Sequence, residues 1–214
     1  MKKVICLTSL MVLLVLSACS FPSSRIHSST DNQKVTLDTL QEEVDDQNVV
    51  LDRVADFQNS NWGMTKSEVL QAEAKGLSEM DSGNLAGVKD VSGREAIVSF
   101  EFENGKLYDG MIIFTDEHTN ENLYIDDYNS IKNALCEKYG EPVTDWQDWS
   151  DDLYRDDPDE WGFAVSLGDV AFYTTWKTET TEIAQILTGD NFEVTHFINY
   201  RDVNYEQSAD TTGL

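Results

Sequence analysis

The chain has 214 residues and carries 40 Asp+Glu against 15 Lys+Arg, a formal charge of −25 at pH 7. That balance argues against DNA, RNA and anionic lipid head groups as partners, because lysine and arginine contacts to phosphate dominate such affinities. It suits basic, cationic or apolar partners, and it also serves plain solubility.

Residues 1–18 read as a secretory signal. Lys2 and Lys3 form a positive start, and Val4 to Leu16 is uncharged. The run has the length of a signal core and is short of the ~20 apolar residues that span a bilayer. It closes in Leu16-Ser17-Ala18-Cys19. Small residues fit the subsite before a cut, and the thiol of Cys19 can accept a lipid. This quartet resembles the lipobox of bacterial lipoproteins. The resemblance implies cleavage before Cys19 and a diacylglycerol on its sulfur, so that the mature chain starts at Cys19 as a membrane anchor. Two acyl chains on one residue meet the two-signal requirement for stable anchoring without a polybasic patch. The expected location is the bacterial cell envelope: the outer side of the cytoplasmic membrane or, in a two-membrane organism, the outer membrane. Ser20 follows the cysteine, with no aspartate there to suggest inner-membrane retention.

Loss of residues 1–18 would remove two lysines and no acid, taking Lys+Arg from 15 to 13 and the charge from −25 to −27. Of three cysteines, Cys6 lies in the signal and Cys19 at the lipid site, leaving Cys136 alone. No intramolecular disulfide is then expected, and the core must hold the fold. Five Trp, eight Tyr and nine Phe supply the material.

Residues 19–56 are expected to be the lipidated cysteine and a flexible tether with a possible helix. Ser, Thr and Asn dominate up to residue 34, and Asp45-Asp46 and Val49-Val50 weaken the helical spacing of Val35, Leu37, Leu40, Val44 and Leu51. The folded body is placed at 57–205 and a disordered tail at 206–214. At the start of the body, Thr65 and Glu68 make a capping box, with Met64 and Val69 at the staple positions. Val69, Leu70, Ala72 and Ala74 supply a modest apolar side, and Gly76 is the expected stop. Gly63-Met64-Thr65 followed by Val69 resembles the helix-unit start of the beta-lactamase inhibitor protein family and of small lipoproteins of the outer-membrane assembly machinery. That resemblance implies units of one or two helices followed by an antiparallel sheet. Inhibition itself is not carried over, because only the helix start matches.

The stretch from Arg94 to Thr115 is a hairpin. Asn104-Gly105 is the favoured two-residue turn, and Ala96, Val98, Phe100 and Phe102 alternate with Ile97, Ser99, Glu101 and Glu103. An unbroken register sets Glu103 opposite Lys106, Phe102 opposite Leu107 and Val98 opposite Met111. It also sets Asp109 against Phe100, a misfit that points to a bulge or frayed pairing. A second helix carries Tyr128, Ile131, Leu135 and Tyr139 on one face and stops at Gly140 before Pro142, with Cys136 a packed thiol. Beyond it an antiparallel meander is expected. Phe163, Val165 and Leu167 lead to a turn at Gly168-Asp169. Val170 to Trp176 and Ile183 to Leu187 follow, and a Gly189-Asp190-Asn191 turn precedes Phe192, Val194, His196, Ile198 and Tyr200 on one face. The expected class is α+β, an antiparallel sheet with helices on one face, arranged as two tandem helix-plus-strands units. No sequence repeat supports the duplication independently.

No nucleophile elbow, His-Glu-x-x-His, Cys-x-x-Cys, P-loop or dinucleotide fingerprint is present, so no catalytic residue, cofactor or metal is assigned. His27, His118 and His196 are scattered, and His196 reads as a hydrogen-bonded structural residue. Asp145–Gly162 stands out: Trp146, Trp149, Tyr154 and Trp161 sit among clustered acids, and Pro142 and Pro158 argue against helix. It is expected to be a loop with one of three roles: a solvated rim, a calcium site lacking the EF-hand spacing, or a recognition surface with tryptophan anchors. The functional expectation is a non-enzymatic envelope lipoprotein that binds another macromolecule as an assembly, adaptor or inhibitor module. The alternative is a lipoprotein capturing a sugar, a cationic peptide or a metal; an enzyme comes third.

Overall fold

The computed structural model describes residues 55–205. The fold is α+β. Helix α1 spans Lys66–Ala72. The strands β1 (Ser78–Glu79), β2 (Leu85–Val91), β3 (Arg94–Glu103) and β4 (Lys106–Phe114) follow. Helix α2 is Asn122–Tyr139, then come β5 (Thr144–Trp149), a 3-10 turn at Pro158–Glu160 and helix α3 (Trp161–Leu167). Strands β6 (Val170–Lys177), β7 (Thr181–Asp190) and β8 (Glu193–Asp202) are the last elements among the described residues. All eight strands form one antiparallel sheet in the order β1-β2-β3-β4-β8-β7-β6-β5. A helix followed by four strands thus occurs twice, with α3 inserted in the second set. The last strand of each set, β4 and β8, meet in the middle.

One face of this sheet holds the core. Val98, Phe100, Ile112, Ile183 and Ile198 lie beneath Val69 of α1 and Ile131 and Leu135 of α2. Phe172 and Leu187 lie beneath Tyr128 of α2 and Val165 of α3. Phe57 is 1% exposed, and Asp56 before it is also buried, accepting from the Trp62 N–H at 3.1 Å and the Thr180 hydroxyl at 2.5 Å. Phe57 belongs to the core beneath α1. It is locked by reciprocal backbone hydrogen bonds with Ser60 and packs edge-on against Phe100.

Helix α1 forms as its cap chemistry dictates. The Thr65 hydroxyl accepts from the Glu68 N–H at 3.4 Å, and the Glu68 carboxylate accepts from the Thr65 N–H at 2.7 Å. The helix ends earlier than Gly76, because Ala74 adopts φ +60° and Glu73 is drawn inward. The buried Glu73 carboxylate accepts from Ser60 Oγ at 2.8 Å and Lys89 Nζ at 2.5 Å. Leu70 is 45% exposed, so Val69 is the residue of α1 that is fully buried.

The Asn104-Gly105 hairpin pairs Glu103 with Lys106 and Phe102 with Leu107, as its turn requires. Tyr108 is then an extra residue. The register shifts, Val98 faces Ile112 rather than Met111, and Asp109 lies opposite Glu101 rather than Phe100. The bulge turns Asp109 away from the core face, where Arg201 Nε donates to it at 2.8 Å and Asn199 Nδ2 at 2.6 Å. Gly110 takes the core side, directly under Phe57.

Three sequence expectations are corrected. Residues 163–167 belong to helix α3, and Gly168 is its left-handed cap (φ +85°), with its N–H on the carbonyls of Ala164 and Val165. The hairpin turn is Asn191-Phe192, both at positive φ, while Gly189 lies within β7. That glycine serves close packing: a Cβ there would stand 2.3 Å from the Val165 carbonyl oxygen of α3. Lastly, Asp145–Gly162 is not a continuous loop. It begins in edge strand β5 and ends in the 3-10 turn, with Pro158 at the turn's start, and the first residues of α3.

Two substitutions test this architecture by urea denaturation. Thr65→Ala should cost about 1 kcal/mol through loss of the cap. Gly110→Ala should cost about 1–3 kcal/mol by overpacking, because its Cβ would fall 2.4 Å from the Phe57 ring. Wild-type stability in Gly110→Ala would contradict the placement of Phe57.

Candidate functional site

The helices cover one face of the sheet, and strand alternation sends every second side chain to the other. On that open face the registers place one apolar residue on each of seven strands in a single row. Val88 pairs with Ile97, Ile97 with Ile113 and Ile113 with Phe197. Phe197 pairs with Ile186, Ile186 with Tyr173 and Tyr173 with Trp146. The row crosses six interstrand gaps, about 29 Å at ordinary strand spacing. Val88 is 60%, Ile97 39% and Trp146 49% exposed. The other four are half-buried by their neighbours in the sheet. Trp146 stacks on Tyr173 with centroids 4.7 Å apart and planes 15° from parallel. Beside the row, Thr175, Ala184 and Asn199 line a hollow of about 310 Å³. A contiguous apolar band of this extent on an exposed sheet face is a feature of interaction surfaces.

The sequence-predicted site residues divide between the two faces. Trp146 joins the row. Trp149 lies on the helix side, edge-to-face with Trp161 at 6.2 Å, and the Arg155 guanidinium sits 5.7 Å from its centroid. Trp161 Nε1 donates to the Arg155 carbonyl at 3.1 Å, and Tyr154 meets Phe163 edge-on. With Asn129, Lys132 and Gln147, these tryptophans border a groove of about 400 Å³ between α2 and β5. Lys132 is held there by Asp145 at 3.1 Å. The acids around these aromatics are exposed, and among the described residues no group of three or more His, Cys, Asp or Glu is placed to hold a metal ion. The lipidation site Cys19 and its flank Leu16, Ser17 and Ala18 lie outside the described residues, as do residues 19–54 of the tether and the tail from 206.

Sequence reasoning missed the other six residues of the row. A signal was present. "GMIIF" in β4 and "HFINY" in β8 are apolar at both parities, where a strand with one solvated face alternates.

Two histidines serve the fold. His118 Nε2 is 2.6 Å from Asp127, which also takes the Arg94 guanidinium, while Arg94 reaches Asp116 at 3.0 Å. This ties the β4–α2 connection to β3 and α2. His196 sits on the core face, 3.0 Å from Gln185 Nε2, whose amide also donates to the Tyr128 carbonyl at 2.8 Å. Burial pushes the imidazole from 6.5 down to about 4, outweighing the nearby Asp127 carboxylate. His196 is therefore neutral at pH 7 and serves as an acceptor within the core.

A depressed histidine pKa penalises the folded state as pH falls. The unfolded chain takes up the proton near pH 6.5, and the folded chain does so only near pH 4. Stability carried by neutral His196 is full above pH 6.5 and is lost down to about pH 4, by roughly 3 kcal/mol at most. His196→Gln should flatten that segment of the pH–stability curve relative to wild type, measured by denaturant titration; parallel curves would show that His196 titrates normally.

No family model matches the chain, and no curated protein or solved structure matches it either.

Proposed function

We propose that this protein is a non-enzymatic, lipid-anchored module of the bacterial cell envelope that binds another macromolecule through the open face of its sheet. The observation that carries the binding part is the apolar row from Val88 to Trp146, aligned by register across seven strands and left uncovered by the helices. The anchoring part rests on Leu16-Ser17-Ala18-Cys19. Aromatic residues in such a band are favoured interface anchors, since each offers a large contact area with few torsions to freeze.

A second reading is favoured by a separate observation, the groove between α2 and β5. Its tryptophan walls and amide rim suit a small polar ligand such as a sugar.

In-cell photo-crosslinking from the full-length chain separates the two. A crosslinker replacing Tyr173 should give one discrete macromolecular adduct, abolished by Phe197→Asp in the same chain. One replacing Leu153, which is 74% exposed, should give none. Equal adducts from both positions would remove the open face as the recognition surface. An adduct formed from position 161 that survives Phe197→Asp would favour the groove.

A further inference from the structure

The open face has two unlike borders on either side of the apolar row. On one lie Asp109 and Glu182 with their cations, Arg201 on Asp109 at 2.8 Å and Lys177 on Glu182 at 2.7 Å, and Glu101, whose carboxylate accepts from the Tyr108 hydroxyl at 3.2 Å. On the other, the open-face positions are Asp90, Glu95, Asp148, Asp190 and Glu193, all exposed, with alanine and threonines between them. Among the described residues no lysine or arginine makes an ion pair with any of these five. Moreover, two pairs of them are direct cross-strand partners: Asp90 faces Glu95 and Asp190 faces Glu193. Like charges set opposite one another across a ladder are destabilising. The fold thus sets two acid pairs opposite one another along one border of an apolar band with no cation between them, Asp90 accepting from the Gly93 N–H at 3.1 Å and Glu95 from the Thr115 hydroxyl at 3.4 Å.

Resting on the reading of the open face as a recognition surface, we propose that its partner is a protein presenting an apolar ridge flanked on one side by lysines or arginines. The ridge fills the row from Val88 to Trp146, and the cationic flank lies along the Asp90–Glu95 and Asp190–Glu193 border, relieving both repulsions. Charge decides against the other occupants. A second copy of this chain would bring the same acids against the same border. Residues 19–54 carry seven acids against three bases, and the tail from 206 holds Glu206 and Asp210 with no base, so neither supplies the flank.

The test uses the full mature chain, residues 19–214, titrated with a short leucine–lysine amphipathic peptide and its leucine–glutamate counterpart. Binding is followed by fluorescence anisotropy, and the site is mapped by amide chemical shifts. The lysine peptide should bind at least about tenfold more tightly than the glutamate one, with shifts centred on Ile113, Phe197 and Tyr173. Phe197→Asp should weaken it at least about tenfold although the change adds a negative charge. That sign separates docking on the row from general attraction to an acidic chain, which Phe197→Asp would strengthen. Asp190→Asn with Asp90→Asn should weaken binding several-fold and reduce its salt dependence. If Phe197→Asp unfolds the chain, shown by its melting curve, Tyr173→Ser replaces it with the same expectation. Equal binding of the glutamate peptide, still lost in Phe197→Asp, would overturn the cationic flank and leave the recognition face standing. Lysine-peptide binding unchanged or tightened by Phe197→Asp, or no binding of either peptide, would overturn the proposal, and the former would take the open face with it.

Discussion

Everything on the open face depends on how β4 pairs with β8. The two strands meet from Asp109↔Arg201 to Ile113↔Phe197, and this ladder alone joins the first four strands to the last four. Because side chains alternate, a slip of one residue would turn Phe197 and Asn199 toward the helices and bring His196, Ile198 and Tyr200 out to water. The core prevents it: Ile198 and Tyr200 are nearly fully buried against α2 and Phe57. The Tyr108 bulge sets the other half of the register, by placing Asp109 where Arg201 and Asn199 can hold it. Burial on one face therefore dictates alignment on the other, and the apolar row is continuous because the core allows no other pairing.

What could be read in the sequence was local. Thr65 with Glu68, Asn104-Gly105, and the Tyr128/Ile131/Leu135 spacing each specify an element within a few residues, and all three elements form. Misreadings arose where one residue type serves two purposes. Gly168 resembled a hairpin turn because a helix cap and a turn both ask for positive φ, and Gly189 resembled a turn when it was clearing space for α3. Strand β5 was hidden because an edge strand carries acids that a central strand would not. The row itself was out of reach for a different reason. Val88 and Trp146 lie 58 positions apart in the sequence and are linked only through six pairings, one of them the non-local β4–β8 ladder. Nothing short-range encodes that ladder.

The aromatic residues of the acidic segment show how strand parity divides what composition groups together. Trp146 and Trp149 are three apart on β5 and so project to opposite faces. Trp149 is taken up by Trp161 and Arg155, which partly cover its ring, whereas Trp146 stacks on Tyr173 and stays 49% exposed. The same segment therefore closes the helix-side groove and ends the open-face row. Its acids follow the same rule: Asp145 turns inward to Lys132 and Thr174, and Asp148 turns outward to the uncompensated border.

Acidity and apolarity on one face are usually in opposition, since charged side chains keep apolar surface from associating indiscriminately. Here the two are segregated. Charge lies along the borders and the row between them carries none, so water can be expelled from the middle without desolvating a carboxylate, a step that costs several kcal/mol per ion when no partner compensates it. An apolar surface alone would accept many partners, including another copy of itself. An acidic border beside it raises the free energy of every acidic partner, the chain's own copies among them, and lowers that of a basic one. Specificity of this kind comes from repulsion as much as from contact. It also accounts for the position of the opposed pairs Asp90↔Glu95 and Asp190↔Glu193. Both lie at hairpin ends, next to the Ser92-Gly93 and Asn191-Phe192 turns, where solvent screening keeps the cost to the free fold small and where an approaching cationic surface would meet them first.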